Sequence, residues 1–319
     1  MSNFEVMFLC LVAGQFIRRR AKFRIQDVRP LNIVVLWVSL PALILSELPK
    51  LYRDSSLTKE LAVAVAMPWA HFLFVLLVIL LIGQWLKWSR GVIGALVLTA
   101  GLGNTSFVGI PVIDTVFGSR GVQIAVLIDQ LGTFLIVATA GLFAASYFAG
   151  KTLSARAVIK RVLFFPPFLA FVLATIWGFS SIPIDGTYSG IFSEACRRIG
   201  ATLSPLALLS VGWQLELTTS VFKRYWKPLS IGLAIKLVIW PCLVLLGLAA
   251  LGSVRTLAGQ VTLLEAAMAP MITSAVVASE FDLEPELAQA MVGVGLLVAA
   301  ITLFVWATLL WSLTGDVSI

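Results

Sequence analysis

The chain has 319 residues, of which 60% are hydrophobic and only 12% are charged, and its formal net charge is +7. A soluble domain cannot hide that much apolar surface, so the composition excludes a soluble globular protein and indicates a polytopic membrane protein. Membrane topology accounts for the basic excess, because cytoplasmic loops collect lysine and arginine, and we do not expect nucleic acid as a partner.

Apolar stretches of about 20 residues, the length that crosses a hydrocarbon core of roughly 30 Å, recur along the whole chain. The connections between them are short, and no soluble domain fits in any of them. The sequence predicts an all-α membrane protein with ten transmembrane helices, at approximately 3–17, 30–48, 61–86, 92–117, 121–147, 160–180, 199–215, 226–251, 257–279 and 285–313.

The basic residues favour one orientation of these helices. With the N-terminus outside, the inner loops hold 15 lysines and arginines and the outer loops hold 7, while Lys236 is left inside the membrane. We therefore expect both termini on the outer side of the cytoplasmic (inner) membrane. The positive cluster follows the first apolar run, which argues for an N-out first helix over a cleavable signal peptide.

Weak internal similarity divides the chain into two halves. "SLPALILSEL" in helix two aligns with "LSPLALLSVG" in helix seven, and "TFLIVAT" (133–139) aligns with "TLFVWAT" (302–308), at offsets of 164 and 169 residues. Five helices per half turn the second half upside down in the membrane. We predict two inverted five-helix repeats, 1–150 and 151–319, which is a hallmark of secondary transporters.

The fourth predicted span contains helix-breaking residues together with small polar ones, in "LTAGLGNTSFVGIPVID" (98–114). Glycine costs roughly 1 kcal/mol and proline about 3 kcal/mol inside a helix, and a broken helix survives in hydrocarbon only where protein or an aqueous cavity surrounds it. The repeat offset places the partner of Asn104 near residue 273, in a ninth span that is interrupted in the same way. The predicted helix breaks are Gly103, Gly109, Pro111 and Pro270, and the polar residues expected to bind substrate are Asn104, Thr105, Ser106, Thr273 and Ser274.

The exposed N-termini of two such half-helices would carry partial positive charge and favour an anion. The alternative is that the glycines only allow close helix packing.

Ionisable and polar side chains at membrane depth are costly and mark candidate functional positions. Lys236, in helix eight, is a candidate ligand of a substrate carboxylate, with a structural ion pair as the alternative. Asp129 is a candidate proton carrier, counter-ion or capping group, and its neighbour Gln130 a candidate substrate contact. Glu265 is a second candidate acid. His71, the only histidine, titrates near physiological pH and suits proton coupling, with a packing role as the alternative.

Three parts of the chain resemble the auxin efflux carrier family, which includes plant auxin exporters and many bacterial carriers, within a superfamily of bile acid, arsenite and riboflavin transporter-like proteins. The similar stretches are "LCLVAGQFIRRRAKF" with "LNIVVLWVSLPALIL", then "GNTSFVGIPVI", and then "EAAMAPMITSAVVASEFDLEPELAQAMVGVGLL". Together they span essentially the whole chain, and the second is the most specific.

The resemblance implies ten helices in two inverted repeats, with broken helices four and nine crossing. It implies a scaffold of helices 1, 2, 6 and 7, a mobile transport domain of helices 3–5 and 8–10, a homodimer, and elevator-type transport of a small organic anion with Asn104 as the crossover asparagine. Two departures affect the crossing: the plant carriers have proline where this chain has Gly103, and Pro270 is shifted by one position relative to bacterial relatives.

Other functional classes fit the sequence less well. An intramembrane protease would need a serine–histidine pair or two juxtaposed carboxylates, and no motif here provides either, so we do not expect an enzyme. Cys10, Cys196 and Cys242 form neither a disulfide framework nor a zinc motif, and we expect no metal and no cofactor. A passive channel, a uniporter and a sensor with a transporter fold stay as alternatives. The substrate, the direction of transport and the choice among proton coupling, sodium coupling and uniport are left open.

Overall fold

The structure is a computed structural model that describes residues 3–20, 23–54, 59–184, 186–215 and 219–315. These residues form helices without a β-strand, apart from one isolated β-bridge that joins Gly103 to Pro270. The α-helices in chain order are α1 (Asn3–Arg20), α2 (Arg29–Val34), α3 (Leu40–Asp54), α4 (Lys59–Trp85), α5 (Arg90–Gly101), α6 (Ile110–Leu127), α7 (Leu142–Ala149), α8 (Ala155–Leu163), α9 (Pro166–Phe179), α10 (Thr187–Gly200), α11 (Leu203–Gln214), α12 (Thr219–Ala234), α13 (Trp240–Ala250), α14 (Leu257–Ala266), α15 (Ile272–Glu280) and α16 (Pro285–Thr314).

Several helical segments of the described chain are long and apolar enough to cross a bilayer, which confirms the prediction of a multi-pass helical membrane protein. Helices α8 and α9 meet at 61° and add a sixth segment if they form one bent span. The other predicted spans do not meet the same criterion of length and composition, so the arrangement of ten spans in two inverted repeats stays a prediction. The five segments that meet it are Arg29–Arg53, Lys59–Trp85, Thr105–Ala149, Lys223–Ala250 and Pro285–Thr314.

The segment Thr105–Ala149 has 45 residues, more than twice the roughly 20 that one crossing needs. It is interrupted at Gly118, whose backbone angles (φ 61°, ψ −160°) are not helical. A Cβ atom at Gly118 would meet nothing within 4 Å, so the backbone angle and not the available space calls for glycine here. The interruption falls between the predicted fourth and fifth spans.

Three prolines each follow a widened, π-helical segment of the chain. Proline has no N–H to donate, and its ring collides with the carbonyl four residues earlier, so a wider local turn accommodates it. One of these segments begins directly after Asn104 and another contains Lys236, so both candidate residues lie where the helix is irregular. The π segments Val35–Ser39, Thr105–Gly109 and Ile235–Ile239 precede Pro41, Pro111 and Pro241.

Helices α1 and α11 pack backbone against backbone through two buried glycines. A Cβ atom at Gly14 would collide with the carbonyl oxygen of Leu209 and lie 2.8 Å from the amide nitrogen of Trp213. A Cβ atom at Gly212 would collide in the same way with the carbonyl of Leu11. Because the obstructing atoms belong to the backbone, they cannot rotate away, and the two helices approach this closely only with glycine at both positions.

We expect Gly212→Ala to destabilise the protein by about 1–3 kcal/mol or more, because the added methyl group overpacks a contact that side-chain motion cannot relieve. Gly247→Ala is the matched control, since a Cβ atom there meets nothing within 4 Å. Alanine is also the better helix former by about 1 kcal/mol, so this control should be neutral or slightly stabilising. Thermal unfolding of the purified protein in detergent measures both variants, and equal melting temperatures would contradict the close approach.

Candidate functional site

The two interrupted helices meet through their backbones. Helix α5 ends at Gly101, and Leu102 is extended (φ −124°, ψ 128°). The amide of Asn104 donates to the carbonyl of Ala269 at 2.8 Å, and the amide of Met271 donates to the carbonyl of Leu102 at 3.0 Å. These two bonds flank the Gly103–Pro270 bridge, so the two breaks satisfy each other's freed backbone groups inside the protein.

The pairing accounts for the residue types at the bridge. Pro270 has no N–H, so it leaves no unpaired donor at the centre of the crossing. A Cβ atom at Gly103 would lie 3.1 Å from the ammonium nitrogen of Lys236, which is closer than a side chain tolerates easily. Glycine at this position therefore leaves room for the close approach of Lys236.

Gly109 and Pro111, which are also predicted helix breaks, lie beyond the extended segment at Leu102. Gly109 has helical backbone angles (φ −61°, ψ −60°), and Pro111 follows the widened π segment of the half-helix that begins at Thr105. A Cβ atom at Gly109 would lie no more than 2.8 Å from each atom of the Glu265 carboxyl group. Gly109 therefore allows the Glu265 side chain to pack closely against the helix, which is the close-packing role that glycines in this segment were also expected to have.

Polar side chains gather at the start of the half-helix that follows the first break. The side-chain oxygen of Asn104 accepts from the amide of Phe107 at 3.2 Å and caps this end. One carboxylate oxygen of Asp129 accepts from the hydroxyls of Thr105 and Ser106, both at 2.5 Å, and the other accepts from the Gln130 amide at 2.7 Å. The carboxyl group of Asp129 is buried and lies at the end of the half-helix that favours an anion.

In the other interrupted helix, Ser274 and Thr273 have different surroundings. Ser274 is fully buried, and its hydroxyl donates to the carbonyl of Met271 at 2.6 Å in the first turn of α15. Thr273 is only partly buried and lines a wide cavity described below. Of this predicted pair, Thr273 is the one that a solute in the cavity reaches.

A second group of ionisable side chains surrounds Lys236 next to the crossing. Its side chain is 1% exposed, and its ammonium group donates to the carbonyl of Ala266 at 3.2 Å, at the C-terminal end of α14. A cation is favoured at this end of a helix. Glu265 lies in the same last turn, where an anion is disfavoured, and it interacts electrostatically with both Lys236 and Asp129.

The carboxyl group of Glu265 is buried, and none of the described residues donates a hydrogen bond to either of its oxygens. Nε2 of His71 is also buried without a partner among the described residues, while the imidazole ring stacks on Trp240 with centroids 4.7 Å apart. A small cavity with room for about one water molecule separates the groups. Its lining is Met67, Pro68, His71, Gly101, Leu102, Gly103, Thr105, Thr133, Lys236 and Glu265.

A much larger cavity of about 1390 Å³, which we call the vestibule, opens beside the crossing. Its walls come from α1, α2 and α11 on one side and from α12, α15 and α16 on the other, and it reaches Phe107 and Ile272 near the starts of the two half-helices. Five arginines lie in its lining among the described residues, and in the sequence alone they indicate only membrane topology. They are Arg18, Arg19, Arg24, Arg29 and Arg224.

Glu47, in α3, lies far from the vestibule and contacts α6. It is 18 residues from Arg29, or about 27 Å along a helix axis. One carboxylate oxygen accepts from Ser119 and, at 3.3 Å, from Gln123, while Lys50 donates to the other oxygen at 3.3 Å. The protein is therefore open at the vestibule, whereas hydrogen bonds from α6 to Glu47 connect α3 with α6 at the opposite end. Glu47 lies within the second predicted span, and a carboxylate at that position was a signal in the sequence that was not used.

The predicted site residues thus form two clusters that share the crossing. Asn104, Thr105, Ser106, Asp129 and Gln130 lie at the start of one half-helix. Lys236, Glu265 and His71 lie around the small cavity with Gly103. Thr273 lines the vestibule, and Ser274 is bonded to backbone.

Comparison with known proteins agrees with the earlier resemblance. The family model described as membrane transport protein matches residues 1–307. An uncharacterized transporter of Methanothermobacter thermautotrophicus is 30% identical over 300 residues, which cover 89% of this chain and 90% of that protein. An uncharacterized transporter of Methanocaldococcus jannaschii is 24% identical over 222 residues, which cover 69% of this chain and 70% of that protein.

Proposed function

The chain belongs to the membrane transport protein family, the family of the auxin efflux carriers, and we propose that it is a secondary active transporter that carries a small organic anion, a carboxylate, across the cytoplasmic membrane by elevator-type alternating access. The observation that carries this proposal is the backbone pairing of two interrupted helices beside a wide, arginine-lined cavity. Interrupted helices at the meeting point of two repeats bind substrates in secondary transporters, and half-helix N-termini favour anions.

In this proposal the substrate enters from the vestibule and binds near the starts of the half-helices. Asn104 and Thr273 contact it, while Asp129 holds Thr105 and Ser106 in place, because both of its carboxylate oxygens already accept hydrogen bonds. Lys236 supplies positive charge behind the crossing. Helices α4–α7 and α12–α16 then move as the transport domain against a scaffold of α1–α3 and α8–α11.

We further propose that both termini face outwards, so that the vestibule opens to the cytoplasm, and that two chains form a homodimer. The orientation is supported by the arginines around the vestibule, because basic residues accumulate on the cytoplasmic side. The bridge from Glu47 to Ser119 and Gln123 then closes the outer side.

A thermal-shift screen against small carboxylic acids, each beside its uncharged amide, tests the substrate class. A specific ligand at 100 times its Kd stabilises the folded protein by about 2.7 kcal/mol. We expect stabilisation by one or more acids and none by the matched amides. Stabilisation by neutral or cationic solutes alone would contradict the anion proposal and leave the fold unaffected.

We assign proton coupling to Glu265, with His71 and Lys236 around it, because its buried carboxyl oxygens have no donor among the described residues. In proteoliposomes we expect an imposed pH gradient to drive accumulation of the acid found in the screen. Glu265→Gln should abolish this accumulation and retain exchange of substrate for substrate, since the neutral amide keeps the size of the side chain.

His71→Gln and Asp129→Asn complete the series. Accumulation that ignores the pH gradient in the parent protein and in all three variants would show that coupling to protons is wrong. Flux that does not saturate with substrate concentration would instead indicate a channel.

A further inference from the structure

The vestibule is larger than a small carboxylate requires. Pockets that enclose a drug-sized molecule measure roughly 300–1,000 Å³, whereas this cavity measures about 1390 Å³. It is therefore not shaped around one molecule, and its size and openness allow hydrated ions to enter. What distinguishes the vestibule is the charge of its lining.

That charge is strongly positive. Among the described residues, five arginines line the vestibule against one carboxylate, Glu286, which pairs with Arg224 at 3.6 Å. Asp27, outside the lining, pairs with Arg24 at 3.5 Å. Basic side chains therefore outnumber acidic ones among the described residues of the lining. A cleft lined by one sign of charge focuses the field and raises the local concentration of counter-ions by about 10- to 1,000-fold.

The preference of lysine and arginine for cytoplasmic loops explains why basic residues lie at this end of the protein. It does not explain which of them face the cavity. Among the residues of the lining that the structure describes, every basic one is an arginine. The inner loops also contain lysines, among them Lys87 and Lys160, and neither of these lies in the lining. Arginine is the residue that binds carboxylates in a fixed two-point geometry, whereas lysine acts as a point charge.

The polarity of the vestibule changes with depth. The arginines lie around the opening, where the Arg24 and Arg224 side chains are 75% and 68% exposed. Towards the crossing the lining becomes neutral, with Asn32, Gln214 and Thr273. An anion attracted to the opening therefore meets neutral hydrogen-bonding groups further in, among the described residues of the lining.

We propose that the vestibule is a second anion-binding site, an antechamber that binds organic anions with two or more negative charges in preference to monoanions and supplies them to the crossing. The supply step rests on the proposed function, whereas the binding does not. Binding here is loose and electrostatic. Its strength falls with ionic strength, because the Debye length is only about 8 Å at 0.15 M salt.

The test measures the electrostatic potential in the vestibule without any substrate. Gln289, an exposed residue of the lining, is replaced by cysteine in a protein whose three native cysteines are alanine. The rates of modification by an anionic and a cationic methanethiosulfonate are compared and normalised to a free thiol. We expect the anionic reagent to be favoured by about 10-fold or more at low salt.

Arg29→Gln should lower this preference by about fourfold, the effect of one charge roughly 10 Å away in water. Lys160→Gln is the matched control, because it removes the same charge outside the vestibule and should leave the preference unchanged. A preference near one, or an equal decrease in both variants, would overturn the proposal.

Protection experiments then separate binding from potential alone. At constant ionic strength, citrate should slow the anionic modification of the Gln289→Cys protein, and acetate should not. A high anionic preference without protection by citrate would overturn the binding site. Protection by citrate in a protein that transports no organic acid would leave the antechamber standing and refute the proposed function.

Discussion

Replacing Lys236 with methionine is expected to destabilise the protein by about 3–5 kcal/mol and to abolish transport. The ammonium group is buried, donates to the carbonyl of Ala266, and is the cation that faces Glu265. Glu265 in turn interacts unfavourably with Asp129. Without the lysine, the buried carboxyl group of Glu265 loses the positive charge next to it, and the last turn of α14 loses its capping donor.

The double variant K236M/E265Q separates charge balance from packing. If the lysine mainly balances Glu265, the neutral glutamine should restore most of the lost stability, while transport stays absent. Lys227→Met, at an exposed lysine of α12, is the control for loss of a charge as such. Thermal unfolding in detergent measures the four proteins. A Lys236→Met protein as stable as its parent would contradict the charge-balancing role.

The second large effect is expected at Asn104. Asn104→Ala should remove the stabilisation of about 2.7 kcal/mol that a ligand at 100 times its Kd gives, and should also cost about 1 kcal/mol of stability without ligand. The side-chain oxygen caps the half-helix through the amide of Phe107, and the rest of the side-chain amide is the proposed substrate contact.

Asn104→Ser distinguishes these two roles, because serine keeps a capping oxygen but has no amide. We expect the serine variant to melt like its parent without ligand and to show no shift with ligand. Isothermal titration calorimetry with the acid identified in the screen measures the affinity of the parent protein and of both variants for that acid. Parent-like affinity in the alanine variant would move the substrate site away from the crossing.

The interrupted helices were predictable because glycine and proline are costly inside an apolar run, and that cost has to be offset by a structural or functional role. Gly103 and Pro270, identified for this reason, do meet across the bridge. The same reasoning also pointed to Gly109, which has helical backbone angles and lies against the Glu265 carboxyl group. A glycine that permits close packing and one that permits a break look alike in a sequence, and only the position of Glu265 distinguishes them.

The surroundings of the charged residues were less predictable. Nothing along the chain shows that Asp129 is bonded to side chains more than twenty residues earlier, so a proton carrier and a capping group were equally compatible with its position. The vestibule was missed for a related reason. Arginines from α1, α2 and α12 were counted one loop at a time, and their common cavity exists only once those helices are packed together.

The pairing of Asn104 with Ala269 also has a consequence for biosynthesis. About 165 residues separate the two partners, and a ribosome adds roughly 5–20 residues per second, so the first interrupted helix waits about 10–30 s for the second. During that interval its freed backbone groups lie in or beside lipid without their final acceptors and donors. The first half of the chain is therefore expected to stay in contact with the insertion machinery until the second half arrives, and a chain truncated before Ala269 should be degraded.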